Sequence, residues 1–291
     1  MSVRQRVDPT AKPDEESALP DRAGDGDTRG LPGRVLRRWL RAVAKFVVQW
    51  GPSIGLLLLI WELIVRSGTV SRRLFPSPLD TFQAGLSLLE AGVLFTDFRF
   101  SLTRSVVGFV LGGITGVLAG LLTGRLKPVE FILSPMILLF RPIPAIALVP
   151  VATVWFGIGE RAKYFVIAYS VFLAVWLNVH AGASSVSETH MRVARSLGAS
   201  RTRTFREVVV PAAAPDIVNG LRYGSAVAFI VLIAAELAGA RAGMGYRIQI
   251  SAEFLQTDRI FFGLVQLGVL GAILDALFVF TSKRIIHWGE R

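Results

Sequence analysis

The chain has 291 residues, of which 52% are hydrophobic and only 18% are charged. Its mean hydropathy of +0.54 is too high for an ordinary water-soluble domain of this size, so many apolar side chains must face lipid. The 32 Lys and Arg residues outnumber the 21 Asp and Glu residues, which gives a net charge of +11. That balance fits cytoplasmic loops lying against anionic headgroups or an acidic partner.

The polar residues exclude several functions. Basic residues are dispersed between apolar segments, whereas a nucleic-acid-binding protein gathers them on one domain. The absence of cysteine excludes disulfides, iron–sulfur clusters and Cys-ligated zinc. The histidines, His180, His190 and His287, lack the spacing of metal ligands, so we expect no metal site and no cofactor.

Residues 1–33 are rich in Pro, Gly, Asp and Arg and cannot bury enough apolar surface to offset chain entropy. They also lack the basic stretch, apolar run and small-residue cleavage site of a signal peptide. We predict a disordered cytoplasmic tail at 1–33, followed by a transmembrane domain at 34–291.

A membrane-spanning helix needs about 20 mostly apolar residues. The sequence therefore predicts an all-α integral membrane protein with about six transmembrane helices. The fourth window is short unless it extends from about Arg161 to His180. The six windows are Phe46 to Val65, Leu102 to Leu122, Phe131 to Val151, Tyr164 to Asn178, Tyr223 to Ala240 and Phe261 to Thr281.

The distribution of Lys and Arg between the connecting segments predicts the orientation. Fifteen lie in the segments on the side of the N-terminal tail, and nine lie on the opposite side. Because cytoplasmic segments carry the excess of Lys and Arg, both termini are expected in the cytoplasm.

Glycines recur every four residues in the second window and lie on one stripe of the helix. Small residues there let a second helix backbone approach closely, so we interpret the stripe as a packing surface. Its members are Gly108, Gly112, Gly116, Gly120 and Gly124.

Arg141 lies inside the third window, in the segment RPIPAIALVP, where Pro142, Pro144 and Pro150 remove backbone donors. A charge at the bilayer centre costs about 2.5–3.5 kcal/mol, and broken backbone is tolerated there only against protein or water. We predict that this segment lines the transport path; a kink with Arg141 bonded to freed carbonyls is the alternative.

Three further carboxylates lie in the windows: Glu62, Glu236 and Asp275. Each is a candidate for the path or for a hydrogen bond between helices. The second role is favoured for Glu62 and Asp275, and both remain open for Glu236.

The loop 184–216 is the one extended polar insertion between windows. Apolar residues form two clusters at helical spacing, one around Met191 and one around Phe205, separated by Gly198. The pattern predicts a helix, a glycine turn and a second helix that stops at Pro211, which together form a compact docking shape.

The stretch VARSLGASRTRTFREVVVPAAAPDIVNGLR resembles the coupling loop of permease subunits of binding-protein-dependent ABC importers. The family pattern is EAA, three residues, Gly, nine residues and I-x-L-P. Gly198 takes the glycine place and Ala194 the second alanine place. Nine residues follow the glycine, and Val208, Val210 and Pro211 then take the I-x-L-P places.

The chain departs from this pattern at Arg192, which stands where the family has a glutamate. Glu188, one helical turn earlier, is the nearest substitute. The resemblance implies that the ATPase docks on this loop, through Glu188, Arg192, Ala194, Leu197, Gly198, Ala199, Phe205, Val208, Val210 and Pro211.

Three further segments look like the branch that imports aliphatic sulfonates, taurine and nitrate: RPIPAIALVPVATVWFGIGE, AELAGARAGMGY and SAEFLQTDRIFFGLVQLGVLGAILD. The resemblance implies the type I ABC importer permease fold and a homodimer or pseudo-symmetric permease pair. It also implies two ABC ATPase subunits and an extracytoplasmic substrate-binding protein. Bicarbonate and pyrimidine-type solutes remain open as alternatives, because similar permeases serve them.

No GxxxxGK[ST] motif occurs, so ATP hydrolysis is expected in a separate subunit and the chain is not predicted to be an enzyme. An ion-coupled secondary transporter is the main rival, because intramembrane charges also serve ion coupling. That class is expected to show two related halves, and none is evident here. A membrane-embedded enzyme would need a clustered catalytic set, which the sequence lacks.

Overall fold

The computed structural model describes residues 51–285, with side chains through residue 280, and the regular structure in this range is entirely helical. The chain divides into two compact units, Met1–Leu57 and Leu58–Arg291. Residues 51–66 are helical (α1), and everything below concerns the second unit. The predicted tail at 1–33 and the beginning of the first predicted span lie outside the described residues.

Ten helices follow α1 in the described part of the chain. They are α2 (Pro78–Glu90), α3 (Val93–Arg125), α4 (Lys127–Phe140), α5 (Leu148–Phe156), α6 (Glu160–Ser184), α7 (Glu188–Ser196), α8 (Arg201–Thr204), α9 (Val210–Leu237), α10 (Met244–Glu253) and α11 (Thr257–Ile285).

Four helices of the described residues are long and apolar enough to cross a membrane: α3, α6, the continuous helix Arg201–Leu237 and Thr257–Phe280 of α11. Helices α3, α6 and α11 contain the second, fourth and sixth predicted windows. Helix α9 contains the fifth except for its last three residues, 238–240, because the helix ends at Leu237. The all-α membrane fold is therefore confirmed. The fourth span has 25 residues, because α6 extends beyond the short apolar window at both ends.

The third predicted window is not one straight helix. It consists of α4 and α5, which are bent by 82° at the residues between them. Pro142 and Pro144 lie in that break and supply no backbone donor. Pro150 falls in the first turn of α5, where a missing N–H removes no helical hydrogen bond. The pair counts as a fifth crossing if taken as one broken span.

The predicted helix stop at Pro211 is wrong. A π-helical turn, Phe205–Val209, joins α8 to α9, and Val210 N donates to Phe205 O. Pro211 lies at the start of α9, where the wider turn removes the need for its N–H. The second helix of the loop therefore continues into the fifth span.

Helix α6 packs between α3 and α9, and its buried side chains form the centre of the core. Its fully buried positions repeat every four residues, at Ile167, Val171, Val175, Val179 and Ala183. Leu121 of α3 and Ala213, Ala228 and Leu232 of α9 complete this cluster.

The glycine stripe of α3 lies against these α6 side chains, as predicted. A Cβ on Gly116 would be 2.9 Å from Cβ of Val175 and 3.0 Å from the carbonyl of Phe172. A Cβ on Gly120 would be 2.6 Å from Cβ of Val179. These gaps are smaller than carbon atoms tolerate, so glycine lets the two backbones pack at this distance.

Helix α2 begins at a capping box. Ser77 Oγ accepts a hydrogen bond from Asp80 N at 3.1 Å, and Asp80 Oδ2 accepts one from Ser77 N at 3.1 Å. Arg72 donates to both carboxylate oxygens of Asp80 at 2.9 Å. The Arg72 hydrogen bonds, supported by Ser77 and opposed by partial burial, lower the pKa of Asp80 to about 2.

The glycine stripe predicts the effect of Gly116→Val. The added side chain collides with Val175, and overpacking of this kind costs about 1–3 kcal/mol. We expect a lower Tm in detergent and fewer monodisperse particles. Gly268→Val is the matched control, because it makes the same change within α11 where nothing lies within 4 Å of the added Cβ. Equal Tm values for the two variants would contradict the close packing of α3 on α6.

The Asp80 carboxyl predicts a pH dependence. Its pKa is lower in the folded state, so its contribution to stability is present above the ordinary value of about 4 and is lost as pH falls toward 2. The Tm difference between the wild type and Asp80→Asn should be constant near neutral pH and should disappear only in that acid range. If this Tm difference already disappears near pH 6, Arg72 does not lower the pKa of the Asp80 carboxyl.

Candidate coupling surface and transport path

The loop between α6 and α9 is a helical hairpin with a glycine turn, as predicted. Gly198 has φ +76°, a left-handed conformation that glycine adopts at little cost. Ala199 N donates to Ala194 O at 3.0 Å, which closes the end of α7. Ser187 caps α7 and Ser200 caps α8 through their hydroxyl oxygens. The local sequence therefore specifies both helices and the turn.

Some predicted coupling residues lie inside the hairpin. Ala194 is buried in α7, and Phe205 packs against both the hairpin core and the transmembrane core. Val208 and Val210 are half-buried. The hairpin core consists of Val186, Met191 and Val209, which the sequence reasoning did not single out as coupling residues. These residues hold the hairpin together and set its attachment to α9.

Other predicted coupling residues form its exposed surface. Leu197, at the tip, is 82% exposed, and Val193 is 54% exposed. Both line a groove of about 510 Å³ together with His190 and Arg203. Ala199 is half-buried, while Glu188, Arg192, Gly198 and Pro211 are exposed. An apolar tip with a basic rim is thus presented at one end of α6 and α9.

A buried ion-pair network lies at the opposite ends of these two helices. Arg104 of α3 is 1% exposed; its Nε is 2.5 Å from Glu160 Oε2 at the start of α6. Its Nη1 is 2.7 Å from Glu236 Oε1 in the last turn of α9 and donates also to Ala242 O at 2.6 Å. Arg104 therefore joins three spans at one point.

Glu236 is 1% exposed and fully engaged in hydrogen bonds. Ser101 Oγ donates to its Oε1 at 2.7 Å, and Gly245 N donates to its Oε2 at 2.8 Å. Of the two roles left open by the sequence, this geometry favours the hydrogen bond between helices over a place on the transport path.

The segment AGMGY before α10 wraps around the same network. Gly243 N donates to Asp97 Oδ1 at 2.8 Å, and Met244 N donates to Ser101 Oγ at 2.9 Å. Gly243 has φ +129°, and a Cβ there would be 2.7 Å from Arg104 Nη1. Arg247 Nε bonds to Asp97 Oδ2 at 2.7 Å. Both the positive φ and the lack of room for a Cβ therefore require glycine at position 243.

Sequence reasoning missed Arg104 and Asp97. Arg104 lies inside the second predicted window, so its charge at depth was an available signal for a buried partner.

The carboxylates Asp275 and Glu62 differ in their partners. Asp275 forms a salt bridge with Arg222 of α9 at 3.1 Å, which is the expected contact between helices. Within residues 51–280, Glu62 pairs with Arg66 one turn along its own helix and forms no hydrogen bond to another helix.

Arg141, Pro142 and Pro144 lie at the break between α4 and α5, and all three are exposed. Arg141 lines a cleft of about 290 Å³ together with Tyr169 of α6 and Tyr223 of α9. The freed carbonyl of Phe140 accepts a hydrogen bond from Tyr169 Oη at 2.7 Å, rather than from Arg141 as in the kink alternative.

The network predicts that Arg104→Met is strongly destabilising. The substitution leaves Glu236 buried without its cation, and breaking one partner of a buried pair costs about 3–5 kcal/mol. Arg66→Met, which removes an exposed pair, is the control and should cost at most about 1 kcal/mol. Adding Glu236→Gln to Arg104→Met should recover part of the loss in Tm. Equal Tm values for the two single variants would refute this role of Arg104.

The comparisons with known proteins agree with this architecture. The family described as "Binding-protein-dependent transport system inner membrane component" matches residues 112–287. The chain is 30% identical over 260 residues to the aliphatic sulfonates transport permease protein SsuC of Bacillus subtilis, covering 89% of this chain and 91% of that protein. It is 31% identical over 259 residues to the taurine transport system permease protein TauC of Escherichia coli, covering 87% and 94%.

The fold is similar to a crystal structure of an amino acid ABC transporter with histidines. The TM-score is 0.57 at 18% identity, with 68% of this chain and 97% of that chain covered. The chain therefore belongs to the family of binding-protein-dependent transport system inner membrane components, as a multi-pass permease of an ABC importer with the type I fold.

Proposed function

We propose that this permease forms the translocation path of an ATP-driven importer for a small organic anion. Two permease subunits surround the path, two ABC ATPase subunits bind the hairpins and an extracytoplasmic binding protein delivers the solute. The main support is the hairpin, whose glycine turn presents Leu197 and Val193 to solvent at one end of the spans.

The hairpin is built to transmit movement. Its second helix belongs to the continuous helix Arg201–Leu237, which has 37 residues and is about 55 Å long. A force on the hairpin therefore acts directly on a span whose far end holds Glu236 in the ion-pair network. A rigid element with two arrangements is what an alternating-access cycle needs.

The orientation follows from the charges. Five exposed arginines lie on the hairpin, which supports a cytoplasmic position for it in an inner-membrane protein with both termini inside. They are Arg192, Arg195, Arg201, Arg203 and Arg206. The network around Arg104 then lies at the extracytoplasmic ends of the spans, on the side that receives the binding protein.

The solute class rests on the named relatives and on Arg141. Relatives that carry aliphatic sulfonates and taurine favour a sulfonate, and nitrate, bicarbonate or a pyrimidine remain the alternatives. We assign the path to the break at Arg141, Pro142 and Pro144, because it combines an intramembrane cation with an open cleft. Glu236 belongs to the network instead.

The docking proposal predicts the effect of Gly198→Glu. A side chain at φ +76° strains the turn, and the added charge lies beside the apolar tip, so stimulation of ATP hydrolysis by the loaded binding protein should fall at least tenfold. The rate is measured in proteoliposomes that contain the full importer. Gly92→Glu is the matched control, because Gly92 has φ +70° and equally open space in a different loop.

A second variant, Leu197→Asp, removes the apolar tip without backbone strain and should also reduce the stimulation. Wild-type stimulation in both hairpin variants would refute docking through this turn.

A further inference from the structure

We propose that the cleft at Arg141 is a binding site for a short-chain organic anion, so that the permease itself selects an anionic head joined to an aliphatic tail. The inference rests on the proposed import function and assigns a binding site within its path. Three observations support it: the position of the cleft in the membrane, the Arg141 guanidinium without a partner within residues 51–280, and the residues that line the cleft.

The cleft lies near the middle of the membrane. Arg141 follows the 14 residues of α4, which rise about 21 Å from their first residue. Tyr169 is nine residues, or about 14 Å, from the start of α6, and Tyr223 is 14 residues, or about 21 Å, from the end of α9. A hydrocarbon core of about 30 Å therefore places all three side chains well inside it.

Arg141 differs from Arg104, which lies within α3, and from Arg222, which lies within α9. Arg104 and Arg222 each pair with a carboxylate. Within residues 51–280, Arg141 has neither a hydrogen bond nor an ion pair from its guanidinium. A cation at mid-depth needs a counter-charge or water. The described lining of the cleft contains this one positive charge and no carboxylate, so a mobile anion is the fitting partner.

Tyrosine hydroxyls flank the cation. Tyr169 is held in place by its hydrogen bond to Phe140 O, which fixes α6 beside the end of α4. Tyr223 is 59% exposed, and its hydroxyl has no hydrogen bond within the described residues. A guanidinium and a tyrosine that line one cleft supply the kinds of donor that suit an oxyanion such as a sulfonate.

The remaining walls are apolar except for Ser170, whose hydroxyl donates to Val166 O at 3.0 Å within α6. Leu173 and Leu177 of α6 and Val227 and Val231 of α9 line the same cleft. Its volume of about 290 Å³ is at the small end of ligand pockets, which span about 300–1,000 Å³. A bare inorganic ion would leave this apolar surface unused, so the site favours an anion with a short alkyl chain.

The test measures anion binding to the purified permease–ATPase complex without a binding protein, by ligand-dependent thermal shift. The probes are methanesulfonate, propanesulfonate, butanesulfonate, nitrate and n-butylammonium. Affinity should rise about fourfold for each methylene that is buried, nitrate should bind more weakly than butanesulfonate, and n-butylammonium should not bind. Equal affinity for nitrate and butanesulfonate, or binding of n-butylammonium, would overturn the proposal.

Substitutions locate the site. Arg141→Met should weaken sulfonate binding at least tenfold, and Tyr223→Phe should weaken it about two- to tenfold. Arg161→Met, on the exposed start of α6, is the matched control and should bind like the wild type. Wild-type affinity in Arg141→Met, or an equal loss in Arg161→Met, would overturn the assignment to this cleft.

The same samples separate this inference from the proposed function. An ATPase that co-purifies with the permease while no sulfonate binds would refute the cleft alone. A permease that retains no ATPase would refute the proposed function, and the anion series measured on that permease alone would then decide the cleft.

Discussion

The interior of a lipid bilayer provides no water, so a charge or an open backbone group at depth must be satisfied by the chain or by something that the chain binds. Arg104 meets this constraint by bonding to Glu160 and Glu236 at once. It thereby fixes the distances between α3, α6 and α9 at one end. The glycine stripe fixes α3 against α6 along the rest of their length. These two features make the three spans one rigid framework.

The broken span between α4 and α5 answers the same constraint differently. Its prolines supply no backbone donor, and the carbonyl of Phe140 accepts hydrogen bonds from Ile143 N and from the Tyr169 hydroxyl of α6. Arg141 receives no such partner within the described residues, although it stands beside the same break. The charge of Arg104 is thus satisfied within the chain, whereas the cleft at Arg141, where we propose that the solute passes, is left open.

Local patterns predicted much of this structure, and distant partners escaped prediction. The glycine stripe and the turn at Gly198 show as local spacing patterns in the sequence, although the sequence did not identify α6 as the helix on which the stripe packs. The partners of Arg104 are 56 and 132 residues away, and sequence cannot show which of several carboxylates lies beside it. The prediction that the helix stops at Pro211 was wrong because the rule that proline breaks a helix assumes an ordinary α-helix. Here a π turn precedes Pro211.

The helix Arg201–Leu237 connects the hairpin, the cleft and the ion-pair network, the three regions on which we propose that transport depends. It begins in the hairpin, carries Tyr223 at the cleft and ends at Glu236 in the network. A displacement of the hairpin cannot leave the cleft unchanged unless the helix bends, and the bonds of Glu236 resist translation at its far end. The movement that satisfies both conditions is a rotation about the network end, which displaces Tyr223 relative to Arg141. Such a rotation would link ATPase closure to release of an anion held between them.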